Sequence, residues 1–435
     1  MTRLLNFWDT VRTGFWFVPG LMTGLAVVLG FALPMLDAQF DASDYTPWLS
    51  TTPAAAGRTL SAFGGATATA SGVVFSTTIV VLSLTSQQFG PRLLRTFLAD
   101  PVTQMTLGAF VGTSLYCLLV MRVIREVEGN RVAPDISVAV ATLVTVLTLF
   151  QLIVFIHHIA VKIQAPEVLR AVASDLDDAI ERLFPQPVEH GPKAIASPAE
   201  PLLLEGDAVT AGQDGYLQAI DADALLELAV EHDLVFELPC RPGDFLPRDE
   251  PVAFVRPVHK IDDDLKREIA ERFLLGSRRT PRQDIECTIR ELVEVAVRAL
   301  SPGTNDPFTA MLSLDYLGAA LGRLAGREMP SGLRYDEQNR LRIVAKPATF
   351  QSALDASFDQ IRQYGRGHAD VTIRGLDVLR HVATRATNDD QRRAIRRQAE
   401  MFLRGSEDEP EQNDRDDVRR RFDKVVKTLD ASKEA

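Results

Sequence analysis

Four long apolar segments in the first 162 residues constrain the fold more than any other feature of the chain. The segments are 14–36, 65–86, 102–121 and 136–159. A helix needs roughly 20 apolar residues to cross a hydrocarbon core about 30 Å thick, and each segment reaches that length. Strands of a membrane β-barrel are about half as long. The sequence therefore predicts a mainly α-helical membrane protein, in which residues 1–162 form a domain of four transmembrane helices.

The charged residues divide the chain at the end of the fourth apolar segment. Residues 1–165 carry nine Lys and Arg against eight Asp and Glu, whereas the following 270 residues carry 38 against 50. This composition is typical of a membrane domain followed by a soluble region. An acidic soluble region lacks the basic stripes that bind nucleic acid, so we expect no nucleic-acid partner. The three cysteines form no metal-binding or disulfide pattern, and we expect neither a metal nor a cofactor.

The soluble region divides into four predicted segments. Residues 163–201 form a connecting helix and a Pro-rich linker, whereas 202–257 alternate apolar and polar residues between Gly, Asp and Pro turns. The alternation predicts a small β-barrel-like module. Residues 258–404 have helical periodicity and predict a mostly helical part, and the charged tail 405–435 is expected to fray. The whole region is therefore predicted to be an α+β soluble domain.

The second apolar segment carries the strongest candidate site, because its small and polar residues fall on one helix face at 100° per residue. The face consists of Gly65, Thr69, Gly72, Ser76, Ser83 and Gln87. Small residues at four-residue spacing let two helix backbones approach closely, so helix packing is the simpler interpretation. Alternatively, hydroxyls around a symmetry axis would line a pore, with the interfacial basic residues Arg92 and Arg95 at its mouth.

Two other positions offer weaker candidates. His157 and His158 lie at the end of the fourth apolar segment, where histidine could sense pH or bind a metal. Neighbours on a helix point about 100° apart, so the simpler interpretation is a pair of interfacial histidines. The turn Thr304, Asn305, Asp306 precedes a predicted helix, whose free N–H groups could bind an anion. Asp306 would repel an anion, and it is explained by a role as N-cap.

Orientation in the membrane follows from the short loops. With the N-terminus inside, Arg3, Arg12, Arg92, Arg95 and Lys162 lie in the cytoplasm, and the acidic loop DAQFDASDY lies outside. The positive-inside rule therefore predicts cytoplasmic N- and C-termini. The third loop is basic on the outer side, which leaves the inverse orientation as an alternative.

Four stretches of the sequence resemble a single family. They are TATASGVVFSTTIVVLSLTSQQFGPRLLRTFLAD, LGAFVGTSLYCLLVMRVIR, LIVFIHHIAVKIQ and ALSPGTNDPFTAMLSLDYLGAAL. Together they resemble a bacterial group of predicted membrane proteins designated domain of unknown function 2254, and the resemblance extends over roughly residues 5–405. It implies an integral, multi-pass protein of the bacterial inner membrane with a soluble C-terminal region. It implies no activity and no catalytic residues.

Two functions stay open on the sequence. The first is a homo-oligomeric channel or transporter-like protein for ions or small solutes, with the second span at the axis and a cytoplasmic regulatory domain. The second is a non-conducting scaffold or sensor whose soluble domain binds a ligand or partner. The lipid bilayer is the expected partner in both. An enzyme is not expected, because the sequence contains no phosphate loop, zinc-protease motif or nucleophile elbow.

Overall fold

The structure is a computed structural model that describes residues 15–37, 52–90, 97–98, 100–127, 130–132, 134–185, 206–257 and 261–431. The chain separates into two compact units, residues 1–167 and 168–435. The first unit contains four long apolar helices, and the second contains the soluble α+β region.

Four helices of the first unit are long and apolar enough to cross a membrane. They are α1 (Phe17–Asp37), α2 (Pro53–Gln88), α3 (Pro101–Met121) and α4 (Asp135–Lys162). An antiparallel hairpin of β1 (Arg125–Val127) and β2 (Asn130–Val132) lies between α3 and α4 in the chain. Each of the four predicted spans is therefore confirmed as a helix of membrane-spanning length.

Helix α2 begins well before the apolar segment that predicted it. The Thr52 side chain accepts a hydrogen bond from the Ala55 N–H at 3.3 Å, and Pro53 occupies the first turn, where its missing N–H costs nothing. The 36 residues of α2 give it a length of about 54 Å. Since the hydrocarbon core is about 30 Å thick, α2 extends beyond it.

Small residues let the membrane helices approach closely around α3. A Cβ atom at Gly108 of α3 would lie 3.0 Å from the Pro19 Cα of α1. On the α2 side, a Cβ atom at Gly64 would lie 3.3 Å from the Cβ of Cys117. Packing in a membrane depends on this kind of close approach, because the lipid tails are as apolar as the side chains. Helix α3 therefore packs against each of the other three.

The second unit contains nine described helices and eight described strands. The helices are α5 (Ala165–Leu183), which begins just before the boundary between the units, α6 (Ala222–Glu231), α7 (Asp263–Ala270), α8 (Ile285–Ala299), α9 (Pro307–Ala325), α10 (Phe350–Tyr364), α11 (Ala369–Ala383), α12 (Asp389–Gly405) and α13 (Gln412–Ala431). The strands are β3 (Asp207–Thr210), β4 (Gly215–Ile220), β5 (Val235–Leu238), β6 (Phe245–Leu246), β7 (Pro251–Arg256), β8 (Phe273–Gly276), β9 (Leu333–Tyr335) and β10 (Leu341–Ala345).

The strands of this unit form two open sheets rather than a barrel. One has the order β3-β7-β5-β10-β9 and the other the order β6-β4-β8. The predicted β-barrel-like module at 202–257 is therefore not supported, because the described strands close no barrel. The free edge of β5 is taken by β10, which runs parallel to it and pairs Ile343 with Phe236. Local alternation in a sequence does not reveal a partner so distant in the chain.

Helix α13 lies in the charged segment that was expected to fray. Its buried residues are Val418, Val425 and Leu429, which share one helix face at seven- and four-residue spacing. Arg421 adds an ion pair to Asp377 of α11 at 2.7 Å. The prediction that the charged tail frays is therefore wrong for Gln412–Ala431. The apolar face is narrow, and the many charged residues around it dominate the composition of the segment.

Candidate functional site

Helix α2 has two opposite faces of different chemistry. The face that packs against its own unit is buried and contains Ala56, Leu60, Gly64, Thr67, Val74, Thr78, Val81 and Thr85. At 100° per residue, the centre of this face lies about 180° from the predicted face of small and polar residues. The threonines at 67, 78 and 85 lie on this packed side of the helix.

The predicted face of α2 points away from the rest of the first unit. All six of its residues are exposed: Gly65, Thr69, Gly72, Ser76, Ser83 and Gln87. A Cβ atom at Gly65 or Gly72 would meet no described atom within 4 Å. The Thr69 hydroxyl donates to the carbonyl of Gly65 at 3.0 Å, which satisfies it within the helix. Nothing in the described part of the chain therefore covers this face between Gly65 and Ser83. We call the six residues together the α2 outer face.

The other outward surfaces of the membrane helices are different. Helix α1 exposes Leu21, Leu25 and Phe31, and helix α4 exposes Leu147, Phe150 and Ile153, each by more than half of its side chain. Large apolar side chains of this kind suit contact with lipid tails. The α2 outer face has larger apolar residues only at its margins, such as Val73 and Ile79. It is therefore less suited to lipid than the outward surfaces of α1 and α4.

The interior of the first unit is held by hydroxyl and amide groups. The Thr113 and Thr148 hydroxyls of α3 and α4 lie 3.1 Å apart, and Gln151 donates to the Thr106 hydroxyl at 2.9 Å. Ser114 donates to the Gly64 carbonyl of α2 at 3.1 Å. Interhelical hydrogen bonds stabilise helix association in lipid by about 1 kcal/mol each. Sequence reasoning missed these pairs, because each depends on the register between two helices.

Asp100 forms a buried ionic cluster at one end of the same bundle. It caps α3 by accepting hydrogen bonds from the Thr103 N–H at 2.9 Å and the Thr103 hydroxyl at 2.7 Å. Its Oδ1 atom lies 2.6 Å from the Lys162 Nζ and 3.0 Å from the His158 Nε2 of α4. Only 3% of the Asp100 side chain is exposed. The carboxylate therefore joins the start of α3 to the last turns of α4.

The charge of Asp100 is stabilised by this cluster. Burial raises the pKa of its carboxyl group, but the hydrogen bonds from Lys162, Thr103 and His158 outweigh burial and bring the pKa down to about 2. Asp100 is therefore ionised at any neutral or mildly acidic pH and pairs with the ammonium group of Lys162.

The two predicted histidines have different positions. His158 is half-buried against Asp100, whereas His157 is exposed. The described residues contain no group of three or more His, Cys, Asp or Glu placed to hold a metal ion. The structure thus pairs one histidine with a carboxylate, a contact that the sequence reasoning did not foresee. The interfacial residues Arg92 and Arg95 lie outside the described residues.

The predicted turn before α9 is a helix cap. The Asp306 carboxylate accepts hydrogen bonds from the Thr309 N–H at 3.1 Å and from its hydroxyl. Thr304 and Asn305 are exposed, and Asn305 has a φ of 48°, which lets the chain turn into the helix. The geometry accounts for all three residues through the turn itself.

These features define a polytopic α-helical membrane protein with a soluble α+β region. Residues 12–381 match the family described as "Predicted membrane protein (DUF2254)", and the chain belongs to this family. Among curated proteins it is similar to an uncharacterized protein of Mycobacterium bovis and to one of Mycobacterium tuberculosis. Each is 27% identical over 408 residues, which cover 92% of this chain and 78% of the relative. No solved structure matches the chain.

Proposed function

We propose that the protein is a homo-oligomeric, channel- or transporter-like protein of the bacterial inner membrane, in which copies meet through the α2 outer face. The observation that carries the proposal is the exposure of this face opposite the packed side of α2. A surface of Gly, Ser and Thr gains little from lipid tails, whereas the same residues let two helix backbones approach closely.

The chemistry of the α2 outer face also supports a role in passage of ions or small solutes. Its hydroxyl groups at 69, 76 and 83 repeat along the helix, and Gln87 lies near its end. Around a symmetry axis, repeated hydroxyl groups replace part of the hydration shell of a solute. Helix α2 contains no acidic residue and a single basic one, Arg58, so such an axis would be almost free of side-chain charge.

The soluble region is proposed to lie in the cytoplasm together with the N-terminus, where it regulates assembly or opening. The loop charges favour this orientation. The proposal includes no catalytic role, because the sequence contains no nucleophile elbow and no zinc-protease motif.

Cross-linking of single cysteines tests the association. Ser76→Cys places a thiol on the α2 outer face. Leu147→Cys places one on the outward apolar surface of α4, where Leu147 is 58% exposed. Oxidation in liposomes should give disulfide-linked dimers with Ser76→Cys and none with Leu147→Cys. Equal cross-linking of the two variants, or a monomer in both, would remove the proposed interface.

Flux through proteoliposomes tests conduction separately. Gly72→Leu fills the α2 outer face and should reduce ion or solute flux, whereas Val146→Leu adds bulk to the exposed surface of α4 and should leave flux unchanged. Cross-linking at residue 76 without flux above empty liposomes would reject the channel and leave the alternative, a non-conducting scaffold or sensor.

A further inference from the structure

Three arginines of the second unit converge on a single buried carboxylate. Glu286 lies in the first turn of α8 and is 6% exposed. Its Oε1 atom is 2.6 Å from a terminal nitrogen of Arg241. Its Oε2 atom is 3.8 Å from Arg279 and 3.7 Å from Arg290, both beyond hydrogen-bond range. The carboxylate therefore makes its close contact with Arg241. The guanidinium groups of Arg279 and Arg290 face it at longer distance.

Arg241 and Arg279 have further acceptors, and Arg290 has none among the described residues. Arg241 donates to the Ser352 hydroxyl of α10 at 3.2 Å, and Arg279 donates to Asp284 at 2.7 Å. The Nε atom of Arg290 is buried and has no hydrogen-bond partner in the described part of the protein. Burial of a guanidinium N–H without an acceptor costs free energy. An additional oxygen acceptor beside Arg290 would therefore be favourable.

The long distance between Arg290 and Glu286 is not imposed by helix geometry, as a comparison with Arg298 of the same helix shows. Both arginines are 37% exposed, and both follow a glutamate by four residues. Arg298 reaches Glu294 with its Nε at 3.4 Å and a terminal nitrogen at 3.2 Å. Arg290 could make the same contact with Glu286 if Arg241 did not hold that carboxylate.

The segment before α8 adds to the positive charge at this place. Residues 277–283, SRRTPRQ, contain three arginines and no acidic residue, although the region from 166 onward is acidic as a whole. Arg278 and Arg282 are exposed at the surface beside the half-buried Arg279. Over residues 277–290, four arginines outnumber the two acidic residues, Asp284 and Glu286, so this stretch is net positive and favours an anion, in contrast to the rest of the unit.

We infer that Arg290, together with Arg279, binds an oxyanion of the phosphate class beside Glu286. A guanidinium group presents a planar fork of N–H donors that fits phosphate oxygens, and a tetrahedral oxyanion with two charges can contact two such groups at once. The site would let the soluble region respond to a phosphate-bearing solute or to a phosphate-bearing lipid headgroup. It stands independently of the α2 outer face, which lies in the other unit.

Calorimetric titration of the full-length protein in detergent tests the site. One arm uses inorganic phosphate against chloride at equal ionic strength, and the other uses micelles with and without phosphatidic acid. Saturable binding is expected in at least one arm, and the arm identifies the source of the oxyanion. Arg290→Gln should weaken it about tenfold or more, because a charge-assisted hydrogen bond is lost. Arg298→Gln is the matched control and should leave binding unchanged.

Arg290→Lys is a second variant that separates loss of binding from loss of folding. It keeps the positive charge and the aliphatic part of the side chain but removes the planar set of guanidinium donors. It should fold like the parent and bind several-fold more weakly. The inference is overturned by an absence of saturable binding in both arms, or by an equal loss of binding in Arg290→Gln and Arg298→Gln.

Discussion

The Oδ1 atom of Asp100 lies 2.6 Å from the Nζ atom of Lys162, so the N-cap of α3 is joined to the last residue of α4. The carboxylate is buried and the ammonium is about one-third exposed. A charge in this position is expensive to bury without a partner, and here the carboxylate pairs with the Lys162 ammonium, contacts the His158 ring and caps α3. The contact closes one end of the membrane bundle.

Removal of the Asp100 charge is expected to destabilise the first unit. Asp100→Asn keeps an N-cap oxygen but leaves Lys162 without its carboxylate, so the free energy of unfolding should fall by about 2 kcal/mol, less than for a fully buried pair because Lys162 reaches solvent. Titration with SDS in mixed micelles measures the change. In a double-mutant cycle, Lys162→Gln should add little to Asp100→Asn. Fully additive effects would mean that the two charges do not interact.

Acid should remove the same stabilisation over a defined range. The pKa of Asp100 is about 2 in the folded protein, below the ordinary value of 3.8 for an Asp carboxyl, so the carboxylate binds its proton less readily when folded. Its contribution, about 2 kcal/mol, is fully present above pH 4 and is lost as the pH falls toward 2. Unfolding measured between pH 5 and 2 should show this loss in the parent. A parallel pH curve for Asp100→Asn would contradict the assignment.

Two adjacent glycines of α2 provide a matched test of its two faces. A Cβ atom at Gly64 meets Cys117 at 3.3 Å, whereas a Cβ atom at Gly65 meets nothing described. Gly64→Leu should overpack the unit and destabilise it by about 1–3 kcal/mol, whereas Gly65→Leu should leave the free energy of unfolding of the monomer unchanged. Gly65→Leu should instead lower the oligomer fraction in analytical ultracentrifugation. Equal destabilisation by the two variants would show that both faces are packed within one chain.

The last helix is expected to contribute to the stability of the second unit. Val425 of α13 is fully buried and its neighbour Val426 is partly exposed. Val425→Ala should lower the free energy of unfolding by about 2 kcal/mol, because it removes two methyl groups from a packed site. Val426→Ala should cost clearly less. Thermal unfolding of the two variants side by side measures the difference, and identical melting curves would mean that α13 does not pack as described.

The sequence was sufficient for the membrane helices and for the set of residues that share the α2 outer face, but it did not predict the direction in which that face points. A span needs only a long apolar run, and a face needs only the 100° step between residues, so Gly65 and Ser76 could be placed on one side without knowledge of their neighbours. Both properties are local to one helix.

The ionic and hydroxyl contacts could not be predicted in the same way. Asp100 and His158 are 58 residues apart, and whether they meet depends on how far α3 and α4 slide along each other. The parallel pairing of β5 with β10 is likewise set by tertiary structure. In α13, the three buried apolar residues stand among many charged ones and were too few to outweigh the composition of the segment.

The hydrogen bonds that Asp37 accepts from the start of α4 affect the order in which the bundle can form. This last residue of α1 accepts hydrogen bonds from the N–H groups of Ile136 at 2.8 Å and Ser137 at 3.0 Å, which begin α4. Helix α1 thus holds the acceptor for the start of α4, which follows about 100 residues later in the chain. These hydrogen bonds can form only after residue 137 has been synthesised, so this contact between α1 and α4 cannot close before α4 is made.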